Sequence, residues 1–224
     1  MSEYSVHEPM NAQLLLRLDR TVKALRRNRM AACFVNTREE AAAKVRELLE
    51  EGSTVAAGGS MTLAECGIFD LLRSGKYNFL DREAVPKEEI PALYRRAFTA
   101  DYYLMSSNAV TENGELYNVD GNGNRAAALI YGPYQVIVVA GANKIVPDIP
   151  AAVRRVKAIA APANSARLHT DTPCTECGQC VGIRGDIAAG CRASSRICCS
   201  YVVTGYQRAA ERIHVILVAE NLGY

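Results

Sequence analysis

A chain of 224 residues with 49% hydrophobic and 22% charged residues has an ordinary globular composition, with room for one substantial α/β domain and an appendage. Its formal net charge of +2 argues against a nucleic-acid binder and against an acidic tail. No apolar run approaches the ~20 residues that cross a bilayer, and the polar start MSEYSVHEPMNAQ lacks a charged-then-apolar leader, so a cytoplasmic protein off the membrane is expected.

Residues 12 to 30 carry Leu14, Leu15, Leu18, Val22 and Leu25 at helical spacing, and AACFV follows as a short buried strand. Thr37 with Glu40 three residues on is a capping-box signature for the helix TREEAAAKVRELLEEG, which is expected to end at Gly52. STVAA reads as a strand, GGS as a turn, and MTLAECGIFDLLRSG as one further helix. NFL is a short strand, PKEEIPALYRRAFTA a helix, and DYYLMSS the next strand.

The polar stretch NAVTENGELYNVDGNGNR, from Asn108 to Arg125, lies between two apolar runs. A connection this long and this rich in functional side chains reads as a site, with Asn113-Gly114 and DGNG as turns inside it. RAAALIYG then packs on the sheet, and the almost wholly apolar QVIVVAGA reads as a strand buried on both faces. Asp148 caps IPAAVRRVKAIAA, with Pro150 in its first turn. RIHVILVAE is the last strand, too apolar to hang free. Strands alternating with helices give an α/β fold with an open, mainly parallel sheet flanked by helices, and a C-terminal cysteine-rich lobe.

Three strand-to-loop turns are candidates for binding, because ligands of open α/β sheets sit outside the carboxyl ends of the strands. The first is Gly58-Gly59-Ser60 with Thr62, where glycine allows close backbone approach and a helix N-terminus favours an anion. The second is the central loop: Asn108, Gly121, Asn122, Gly123, Asn124 and Arg125 bind, while Glu112 or Asp120 serves as base or nucleophile. For Asp120 an Asx-turn that merely holds the loop is the plainer reading. The third is Asn143 with Lys144, a partner for a carboxylate or phosphate. The dispersed histidines His7, His169 and His214 suggest no catalytic arrangement.

Six of the eight cysteines fall between Cys174 and Cys199, which points to metal or redox chemistry rather than a disulfide framework. Cys174, Cys177 and Cys180 imitate the start of a ferredoxin run without its fourth cysteine and proline. Cys191 and Cys198 or Cys199 would close a set for Zn²⁺ or an iron–sulfur cluster, the alternatives being a redox disulfide or unligated thiols.

The stretches GGSMTLAECG, SSNAVTENGELYNVDGNGNR, YGPYQVIVVAGANKIV, TPC…RICC and RIHVILVAENLGY resemble the LUD-domain family of lactate utilisation proteins over nearly the full chain. The resemblance implies a fold like the sugar-phosphate isomerase and CoA-transferase superfamily, with phosphate or CoA ligands at a turn such as Gly58-Gly59-Ser60. It implies one LUD domain over 1–224, divided into a core at 12–165, a cysteine-rich insertion at 166–200 and a returning strand at 201–224. It implies a part in the oxidation of lactate to pyruvate beside iron–sulfur partner subunits, an anionic metabolite as ligand, and a homodimer. A non-catalytic metabolite-sensing module and a transferase- or isomerase-like enzyme with an acidic catalytic residue are the alternatives, and enzymatic activity itself stays open. Relatives have the pattern PC-x5-C-x2-C and then RIC, which puts the metal ligands on Cys174, Cys180, Cys191 and Cys198, with Cys177 and Cys199 as alternates. The added VGIRGDIAAG before Cys191 departs from that pattern.

Overall fold

A computed structural model describes residues 7–224, with side chains from residue 10 onward. The polar start of the chain at residues 1–6 and the His7 side chain lie outside the described residues. Among the described residues no helix is long and apolar enough to cross a membrane.

Six strands form an all-parallel sheet: β1 (Ala31–Val35), β2 (Thr54–Ala57), β3 (Asn78–Leu80), β4 (Tyr102–Met105), β7 (Gln135–Gly141) and β10 (Ile213–Val218), in the order β1-β10-β7-β4-β2-β3. The alternation of side chains along each strand divides the core in two. From β7, Val136, Val138 and Ala140 join Tyr103 and Met105 of β4 on one face, under Leu18, Val22 and Leu25 of α1 (His7–Arg27). Ile137 and Val139 join Leu104 on the other face, against Ala41 and Val45 of α2 (Arg38–Leu48). Each fully buried aliphatic side chain contributes about 1.5–3 kcal/mol, so the apolar run of β7 is a main source of stability. RIHVILVAE is buried as expected, with Ile213 and Leu217 fully enclosed.

The central stretch is more ordered than a loop. β5 (Ala109–Thr111) and β6 (Leu116–Asp120) pair antiparallel around Gly114, whose φ of +82° places it in the left-handed region that the turn requires. β8 (Ile145–Val146) and β9 (Ser200–Thr204) extend this pair into a second sheet, β8-β5-β6-β9. The helix expected over MTLAECGIFDLLRSG is two helices, α3 (Met61–Glu65) and α4 (Ile68–Leu72), because Gly67 between them has a φ of +68°. α2 ends at Leu48, short of Gly52. Thr37 does cap α2, accepting from the Glu40 amide at 3.3 Å, and Asp148 caps α7 (Ile149–Arg155), accepting from the Ala151 amide at 2.8 Å.

The remaining helices are α5 (Ile90–Arg96), α6 (Asn124–Ile130), α8 (Ala161–Arg167) and α9 (Pro173–Cys177). A π turn over Val156–Ala160 joins α7 to α8. The cysteine segment lies on this turn and on the second sheet: the Cys180 amide donates to Lys157 O, and the Cys199 amide donates to Asp120 O. The segment lies against the core as a layer, and no distinct cysteine-rich lobe stands out from it among the described residues.

Candidate functional site

Because β2, β4 and β7 are parallel neighbours, their carboxyl ends set Gly58-Gly59-Ser60, Ser106-Ser107-Asn108 and Asn143-Lys144 side by side. A cavity of about 530 Å³ opens there, closed on its far side by Asp120, Gly121, Asn122, Asn124 and Arg125. The volume suits a small-molecule ligand. Of the residues named from sequence, Gly58, Gly59, Ser60, Asn108 and Lys144 also line it. Thr62, Gly123 and Asn143 do not line it: Thr62 bonds Lys144, and Asn143 holds the chain end through Gly223 O at 3.0 Å.

Glu112 is elsewhere. Its carboxylate accepts from Arg17 Nε at 2.7 Å on the far side of the β5–β6 turn, with Arg20 at 3.6 Å, so it takes no part in this cavity. Asp120 has two roles, since it lines the cavity while its side chain accepts from the Ala126 amide at 2.8 Å, holding the start of α6. The bond reaches six residues on, to the third residue of α6, so Asp120 caps that helix from outside instead of forming the Asx-turn expected from the sequence. Ser60 accepts from the Leu63 amide at 3.3 Å, and α3 is only five residues long, so the helix dipole expected at this turn is small.

Arg125 is the centre of the wall. Its guanidinium donates to Asn118 Oδ1 at 2.5 Å, Asn108 Oδ1 at 2.9 Å, Val119 O at 2.8 Å and Ser106 O at 3.2 Å. Arg155, 7% exposed, donates to Asn108 O at 2.7 Å and Asn143 O at 3.0 Å. Every one of these acceptors is neutral. Burial pushes both arginines below their ordinary range. Lys144, 4% exposed, donates to Thr62 Oγ1 at 2.8 Å and Ser106 Oγ at 3.0 Å. Burial first, then the charges of Arg155 and Arg125, push it down to about 7.

Sequence reasoning missed Arg82, Tyr94, Asn164, Arg167, Arg196 and Tyr224 on the cavity wall. Arg196 opens the RICC motif, where the two following cysteines are the stronger chemical signal. It donates to Cys198 O at 2.7 Å, Cys191 O at 2.6 Å and Tyr201 Oη at 2.6 Å, clamping the cysteine segment.

Cys174, Cys180, Cys191 and Cys198 line a second, smaller cavity of about 30 Å³, whereas Cys177 and Cys199 are exposed and outside it. Arg196, Ile197 and Cys198 belong to the walls of both cavities. Among the described residues no three His, Cys, Asp or Glu side chains converge closely enough to hold a metal ion as they lie. The four thiols surround a space without meeting at one point, and all eight cysteines are unpaired. Cys198 is pushed up to about 11 by burial and then by the neighbouring thiols Cys180 and Cys174. Cys66, in the core, is likewise raised to about 11 by burial.

The LUD domain model matches residues 18–218 of the chain. Among solved structures the chain is similar to a DUF162 family protein from Deinococcus radiodurans, at 16% identity and a TM-score of 0.50, covering 93% of this chain and 98% of that one. It is also similar to ribose 5-phosphate isomerase A from Methanocaldococcus jannaschii, at 15% identity and a TM-score of 0.37, over 72% of this chain and 76% of that one. A further likeness is to eIF2B beta from Chaetomium thermophilum, at 15% identity and a TM-score of 0.35, over 50% of this chain and 43% of that one. At 16% identity the likeness to the DUF162 family protein is one of fold. No curated protein matches the chain.

Proposed function

The chain belongs to the LUD domain family, and on that premise we propose that it is a cytoplasmic protein of the lactate-utilisation type, binding a small organic anion in the cavity between Gly58-Gly59-Ser60, Asp120–Arg125 and Lys144. The observation that carries this reading is the charge of the wall. Arg82, Arg125, Arg167 and Arg196 line the cavity, Arg155 stands behind it, and Asp120 is the one acid on its lining. Among the described residues none of these five arginines pairs with a carboxylate within 4 Å. Arg125 and Arg155 are enclosed and meet only neutral acceptors, which leaves their charges costly, and an anion entering beside them lowers that cost. At an effective dielectric near 20, one cation–anion contact at 4 Å is worth about 4 kcal/mol. The amides of Gly59 and Ser60 donate to no backbone acceptor among the described residues, and so are available to the same ligand.

The four thiols fit a metal by their chemistry, being soft donors gathered round one space. Cys174, Cys180, Cys191 and Cys198 would hold it, and closing the loop onto it would fix a segment otherwise clamped by Arg196. An iron–sulfur cluster would supply a one-electron acceptor beside the anion cavity and a link to redox partner subunits, whereas zinc would be structural.

Thermal stability measured with lactate, pyruvate, acetate and phosphate, against the neutral lactamide, tests the anion reading. A rise in Tm with the carboxylates and none with lactamide is expected. No rise with any anion overturns it.

A further inference from the structure

Lys144 is held by an arrangement that leaves one position on its nitrogen without a partner. Thr62 Oγ1 donates its single hydrogen to Leu222 O at 3.1 Å, and Ser106 Oγ donates its own to Ser107 O at 3.4 Å. Both hydroxyls therefore face Lys144 as acceptors, and Lys144 Nζ is the donor in both contacts. An ammonium has three hydrogens to place, a neutral amine has two. Among the described residues Nζ has two acceptors and no third. No carboxylate lies within 4 Å of it, while Arg155 and Arg125 oppose a positive charge at this place. The site suits the amine in its neutral form, and Lys144 lines the cavity.

We propose that Lys144 is a nucleophilic amine that forms an imine with a 2-oxo acid whose carboxylate is received by the surrounding arginines. The inference rests on the small-anion reading and adds to it a carbonyl next to the carboxylate. Cations select the acid group, and a desolvated lysine beside cationic groups is the setting in which an amine attacks a carbonyl carbon. Nζ bonds to the carbonyl carbon as the C=O π pair moves to oxygen. The two amine hydrogens then leave with that oxygen as one water, and no oxidant or reductant is consumed. Ser106 and Thr62, each in contact with Nζ, are placed to pass those protons.

The test is borohydride trapping on the whole protein with pyruvate and 2-oxoglutarate, followed by peptide mass mapping, with Tm measured on the same mixtures. Borohydride reduces the imine to a secondary amine, which adds the mass of the acid less one oxygen. The expected result is an adduct on the peptide bearing Lys144, absent when lactate replaces the 2-oxo acid and lost in Lys144→Met. Mapping the wild-type adduct decides the matter even if that variant does not fold. A Tm rise with pyruvate and no adduct at Lys144 overturns the imine while leaving the anion site in place. Neither a Tm rise nor an adduct overturns both, and adducts spread over surface lysines alone overturn the imine.

Discussion

A Cβ on Gly58 would lie 3.0 Å from Arg125 Cδ and 3.3 Å from both Arg125 Cγ and the Tyr103 hydroxyl, so the glycine and the arginine share one space. The stem of Arg125 crosses the turn where any other residue would place its side chain. Gly58→Ala should shift the stem of Arg125 by a few tenths of an ångström and strain its bonds to Asn108 and Asn118, at a stability loss of about 1–3 kcal/mol. Urea unfolding and the carboxylate-induced Tm rise, both reduced in the variant, check this.

Gly59→Ala should behave otherwise. Its Cβ would meet the Arg82 guanidinium at 2.6 Å, and the end of a long side chain can swing aside. We expect a stability change within about 0.5 kcal/mol, with anion affinity reduced only as far as Arg82 contributes. Arg82→Ala should reproduce that affinity change, and titration calorimetry of the two variants checks the equality.

Lys144 makes stability depend on pH. Its pKa falls from 10.5 in the unfolded chain to about 7 in the fold, so the unfolded state binds more protons between those values. Stability therefore rises as pH increases from about 7 towards 10.5, and below 7 the full penalty of the buried charge is present. The groups around it are Arg155 and Arg125, which lower it, and Glu65 and Cys66, which raise it. The shift corresponds to a few kcal/mol, on the order of 1.4 per pH unit. Denaturant midpoints at several pH values should show this slope in wild type and lack it in Lys144→Met.

Glu112→Gln separates a surface ion pair from a catalytic acid. Glu112 and Arg17 are each about a third exposed (28% and 32%), so the loss should be about 1 kcal/mol or less. Anion binding should be unchanged. A loss of binding would place Glu112 in the site.

The cysteines divide into four and two. Cys174→Ser, Cys180→Ser, Cys191→Ser and Cys198→Ser should each abolish metal content after anaerobic purification, whereas Cys177→Ser and Cys199→Ser should keep it. Iron with acid-labile sulfide identifies a cluster, and colourless stoichiometric zinc a structural ion. Equal metal content in all six variants would remove the site.

Much of this was legible in the chain because it is local. The βα turn at Gly58, the caps at Thr37 and Asp148 and the apolar runs of β7 and β10 all declare themselves within a few residues. What was not legible depends on contacts between distant segments. Glu112 and Asp120 look alike as acids in one polar stretch, but the hairpin puts Glu112 at its turn, beside Arg17, and Asp120 at its open end. The break of α3 from α4 is set by a positive φ at Gly67, and a glycine within a helical pattern does not announce its φ. Strand β9 was hidden by the cysteines beside it, since SYVVT pairs with β6, 80 positions earlier in register at Ser200 and Asp120. Arg167 and Tyr224 reach the cavity from elements with no motif of their own.

The last strand in the chain, β10, lies between β1 and β7, with hydrogen-bonded neighbours on both sides. During synthesis β1 therefore leaves the ribosome nearly two hundred residues before the partner that joins it to the sheet. Until then β1 has no strand partner and β7 has one open edge, and both are β-rich and apolar and invite association with other chains. A cut before Ile213 would divide the sheet instead of trimming it. Its assembly is a late, long-range event, and slow folding is the expected consequence of this topology.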